Sequence, residues 1–65
     1  MTTAEREDRI TRLEARISSL REQMNTLLSK VTLTPAQKQA VKDGHQWAIE
    51  DVQETIDALK RGENP

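Results

Sequence analysis

The sequence predicts an all-α protein, a two-helix antiparallel hairpin with a coiled-coil heptad seam that assembles into a helical bundle. Three observations carry that prediction. Seven apolar residues recur at coiled-coil spacing through the first half of the chain. A Thr-Pro pair at positions 34 and 35 breaks the chain near its middle and opens a second helix. The second half then carries an apolar stripe of its own at helical spacing.

The first helix is expected over about 3–31. Ile10, Leu13, Ile17, Leu20, Met24, Leu27 and Val31 follow one another at alternating steps of three and four. Only a helix near 3.5 residues per turn places all seven on one seam. Thr2 and Glu5 stand at capping-box spacing, and Glu5, Glu7 and Asp8 put negative charge where the helix dipole favours it. No Gly or Pro interrupts residues 3–33.

The turn is expected at about 32–34. Pro35 disfavours helical geometry at Thr34, so the first helix must stop before it. Thr34 suits an N-cap, Pro35 suits the first helical position, and Gln37 completes a capping box. The second helix then runs over about 35–61. Lys60 and Arg61 fall in its last turn and Gly62 suits the position just beyond it, leaving a polar tail at 62–65. Two helices of equal length, each roughly 40 Å long at 1.5 Å per residue, joined by so short a turn favour the antiparallel hairpin over one long bent rod. The whole chain reads as a single domain.

Val41, Ala48, Val52, Ile56 and Leu59 form the main stripe of the second helix, with His45 inside it and Ile49 at its margin. A second line runs Ala36, Ala40, Gly44 at four-residue steps, with Trp47, Asp51 and Ala58 on the same side. Small residues in such a ladder let another helix approach closely. Trp47, the only aromatic residue, lies about 120° from the main stripe. It either fills a helix–helix interface of an oligomer or stacks on a ligand or partner protein.

Only 13 of the 65 residues are Leu, Ile or Val, and Phe and Tyr are absent. A core that thin, in so short a chain, calls for a second chain to complete it. The seam of Ile10, Leu13, Ile17, Leu20, Met24, Leu27 and Val31, with Val41, Ala48, Val52, Ile56 and Leu59, is therefore expected to serve self-association. Ile at a and Leu at d favour two strands. Leu28, at an e position, widens the stripe beyond a two-stranded seam, which favours a four-helix bundle of two hairpins. A parallel dimer through the first helix is the second arrangement.

The composition excludes several classes of function. Without Cys there is no disulfide framework, thiolate zinc site or cysteine nucleophile. Apolar residues come in short runs such as Leu27-Leu28, which argues against a membrane span or signal segment and for a soluble, cytoplasmic protein. His45 is the only His, and its helical neighbours Val41 and Ile49 cannot ligate or orient a metal or base. Asp43, Glu50, Asp51, Glu54 and Asp57 read as a solvated face, and Ser18, Ser19 and Ser29 have no base beside them. No catalytic group, cofactor or metal is expected.

Arg6, Arg9, Arg12, Arg16 and Arg21 make the first helix rich in arginine. Residues 1–31 nevertheless hold six basic groups against five acidic ones, and Glu5–Arg9 and Asp8–Arg12 are spaced as helix-supporting pairs. That balance argues against nucleic-acid binding. The expected function is that of a non-enzymatic, oligomeric helical protein that binds a partner protein, as an adaptor, an inhibitor or a phage-type accessory factor. Its candidate surface comprises Trp47, Ala36, Ala40, Gly44, Asp51 and His45. Two alternatives stand beside it: an oligomer that sequesters a small anionic ligand such as a nucleotide, and a purely structural coiled-coil scaffold.

Overall fold

The computed structural model describes residues 2–63, so Asn64 and Pro65 of the expected tail lie outside the described residues. Two helices follow one another, α1 over Thr3–Lys30 and α2 over Pro35–Lys60. Their ends are set by local chemistry. The Thr2 hydroxyl oxygen accepts the Glu5 amide at 3.1 Å, tying off one of the free N–H groups at the start of α1. Val31 leaves the helix in extended geometry, one residue earlier than the seam alone implies. At the start of α2 the capping box closes both ways. The Gln37 amide donates to the Thr34 hydroxyl at 3.2 Å, and the Thr34 amide donates to Gln37 Oε1 at 2.9 Å.

Arg61 caps α2, and Gly62 then turns the chain with a φ of 88°. The Glu63 amide reaches the Ala58 carbonyl at 3.0 Å and the Gly62 amide reaches that of Leu59 at 3.1 Å. That pair of bonds is a Schellman motif, and a residue in left-handed geometry is what allows both to form.

The two helices lie side by side. The molecule measures 47 × 16 × 10 Å between Cα atoms, whereas helices laid end to end would span roughly 80 Å at 1.5 Å per residue. With only a four-residue connection, Val31–Thr34, and α1 and α2 in contact with each other, the pair is an antiparallel hairpin.

The core runs along the line between them. Ile17 of α1 is buried against Ile49, Val52 and Ile56 of α2, with Ile10, Leu13 and Leu20 packed on that cluster. Ile56 and Leu59, at 1% and 0% exposure, are the most deeply buried side chains. Ile49 is a correction to the sequence reading. Placed at the margin of the stripe, it is instead one of its centres, and Val41 and Ala48 are the half-buried edge. The buried line on α2 is centred on Ile49, Val52 and Ile56, because α1 crosses where the larger β-branched side chains stand. The α1 seam packs on that cluster as far as Leu20, Met24 is half-buried, and beyond it Leu27 and Val31 are 37% and 47% exposed. Near the turn, Leu28 and Leu33 are half-buried instead.

Candidate partner-binding surface

Trp47 is held outside the hairpin. It lies nine residues before Ile56, a rotation of about 180° around the helix, so a helix that buries Ile56 must turn Trp47 outward. Its side chain is 71% exposed, the largest apolar group the protein shows to solvent. Ala36, Ala40, Gly44 and Asp51 are exposed on the same side of α2. Among the described residues of one hairpin, Trp47 therefore fills no helix–helix interface.

The small-residue ladder is likewise unoccupied. A Cβ placed on Gly44 would meet no atom within 4 Å, so no helix approaches the ladder inside the hairpin. The reason is angular: α1 settles on the stripe of β-branched residues, where more apolar area is buried, and the ladder faces away from it. Ala40 and Gly44 do line a shallow groove of about 400 Å³ with Val41, His45, Ala48 and Leu20 of α1. The sequence places Ala40 and Gly44 on one line with Ala36, Trp47, Asp51 and Ala58 and joins His45 to the same candidate surface. Leu20 joins them only once the antiparallel register is known.

His45 sits at the wall of that groove, half-buried, with Nδ1 2.8 Å from the Val41 carbonyl. A carbonyl can only accept, so Nδ1 carries the proton and donates it one helical turn back. The ring is thereby tied to its own helix. No group of three or more His, Asp or Glu side chains stands close enough to hold a metal among the described residues.

The acids of α2 form the rim of the outer face. Gln39 donates to Asp43 at 2.8 Å, Gln46 to Glu50 at 3.1 Å and Gln53 to Asp57 at 3.0 Å. Each pair spans four residues on an exposed surface, which orders the carboxylates without neutralising them. On α1, Asp8–Arg12 is closed at 2.9 Å, while Glu5–Arg9 is open among the described residues. Trp47 points away from α1, so one hairpin alone does not bring its indole to the arginines.

Arg6 is the residue the sequence reading passed over. It occupies a d position of the heptad one step before Ile10, and its Nε is buried without a hydrogen-bond partner. The seam thus extends one turn nearer the start of α1 than its apolar residues mark, because a long aliphatic stem covers core while its charged head seeks water.

No helix is long and apolar enough to cross a membrane among the described residues. No family model matches the chain, and comparison with curated proteins and with solved structures finds no significant match.

Proposed function

We propose that this chain is a non-enzymatic binding protein whose α2 outer face docks a partner protein, with Trp47 as the anchor. The observation that supports this reading is the 71% exposure of Trp47 on a regular, doubly capped helix. A rigid indole held away from its own core presents a large apolar area at little entropic cost, which is why tryptophan is enriched among the residues that dominate binding energy. Ala40 and Gly44 flank it with little bulk, and Asp43, Asp51 and Glu54 surround it with negative charge. The complementary partner carries an apolar pocket wide enough for an indole and basic groups at its rim.

The test is capture with immobilised wild type and Trp47→Ala, followed by titration of the recovered protein into the free chain while Trp47 fluorescence is read. The reading expects a partner held by wild type and lost by Trp47→Ala, with a blue shift of the indole emission on binding. Equal recovery by both proteins, or binding that leaves the emission unchanged, would contradict it.

A further inference from the structure

The hairpin has two broad faces, and they differ in kind. On one, Leu20 meets Val41, Ala48, Ala40 and Gly44 across a groove whose one polar side chain, His45, is bonded to its own helix. On the other, Glu14, Ser18, Arg21 and Gln53 surround the edge of Ile17. We propose that the apolar broad face is the docking surface for a second copy of this chain. The two-fold axis runs parallel to the helices, so that α1 of each copy lies over α2 of the other. Ala40, Gly44 and Asp51 border Trp47 as well, so a second copy and a partner protein share that edge of α2.

The dimensions of the face suit an occupant of that size. The hairpin exposes 4873 Å², against about 4,200 Å² for a compact monomer of its mass from the usual surface–mass scaling. That excess belongs to its elongated two-helix shape, and an interface of standard size takes roughly 800 Å² from each partner. The face itself, 47 by 16 Å, offers a footprint of about 750 Å². A second hairpin matches it in length and width.

Charge selects the arrangement. On α1 the depression that shares Leu20 with the groove also holds Arg12 and Arg16, so the edge of this face on α1 is basic. On α2 the corresponding edge carries Asp51. Lys42 and Lys60 stand nine residues to either side of Asp51, a rotation of about 180°, and therefore flank the opposite broad face. Laying α1 over the second copy's α2 sets the basic edge on the acidic one, whereas α1 over α1 sets two basic edges together. Like charges so placed cost free energy and opposite charges fix the register.

The register follows from the antiparallel pairing. Ile17 lies level with Gln53, and Leu20 lies level with Ala48 and Gly44. Arg16 is therefore level with residues near Asp51 and Val52. An axis parallel to the helices preserves level, so Arg16 of one copy meets the partner's Asp51, twice in the dimer. Trp47, only about 20° around α2 from Ala40, stands at the outer border of this interface.

Sedimentation equilibrium of the full chain tests the proposal, with circular dichroism confirming that each variant remains helical. At about 100 μM the wild type is expected at twice its 7.4 kDa mass. Gly44→Glu, at an exposed position where an added Cβ meets nothing within 4 Å, is expected to leave the hairpin folded and return it to a monomer. Ser18→Glu, on the polar face, is expected to remain a dimer. Arg16→Glu and Asp51→Arg are each expected to weaken the dimer about tenfold, and the double variant to restore it. A monomeric wild type, a tetramer, or a dimer broken by Ser18→Glu and spared by Gly44→Glu would overturn the face. Failure of the double variant to restore association would overturn the parallel-axis arrangement.

Discussion

Arg6 and Gly62 show how single residues tune this hairpin. The Arg6 Nε is buried and unbonded, and an unsatisfied buried donor costs about 1–3 kcal/mol. Arg6→Met keeps an aliphatic stem of similar reach and removes that donor. It is expected to raise stability by about 1 kcal/mol, read as a higher melting temperature; an unchanged or lower one would show that the donor finds water in solution. Gly62 stands at a φ of 88° within the Schellman motif. Gly62→Ala forces a Cβ into left-handed backbone and is expected to cost about 1 kcal/mol, measurable as a lower urea midpoint with an unchanged slope. The role of Gly62 was legible in the sequence, because Gly just past Lys60 and Arg61 is a stop signal with a mechanism. That of Arg6 was not. A charged residue at a d position looks like the end of a seam until its Nε is seen to be buried.

At the scale of the helices, capping and periodicity account for what could be read in advance. The Thr34-Pro35-x-Gln37 start predicts the beginning of α2, and both of its side-chain bonds are formed. The antiparallel hairpin follows from that break and from the short turn. What periodicity alone left open was the rotation of α2 about its axis, which depends on α1. Ile49 therefore read as marginal and is buried, while Val41 and Ala48 read as central and form the edge of the groove. The deepest point of the interface is at the last turns of α2, where Ile56 and Leu59 close the core. Leu59→Ala, at a fully buried position, is expected to cost about 2–5 kcal/mol. In a hairpin with so few large side chains that loss should unfold much of the population at 37 °C, seen by circular dichroism. A variant that melts within a few degrees of wild type would show that the end of α2 contributes little.

For the molecule as a whole, two surfaces divide between them what the hairpin leaves uncovered. The apolar broad face between Leu20 and the Ala40–Gly44 edge fits a second copy in size and in charge, and Trp47 stands where that face meets the outer side of α2. Sequence alone grouped these as one candidate surface, because angle on α2 is readable from spacing whereas the contribution of α1 requires the register. The proposed function rests on the display of Trp47 to solvent in the free hairpin. Because it is the only aromatic residue, fluorescence quenching by iodide and acrylamide reads that residue alone. That display predicts an emission typical of water-exposed indole and full quenching by both reagents at concentrations where the protein is a single hairpin. A blue-shifted emission protected from iodide, in the absence of any other protein, would contradict it.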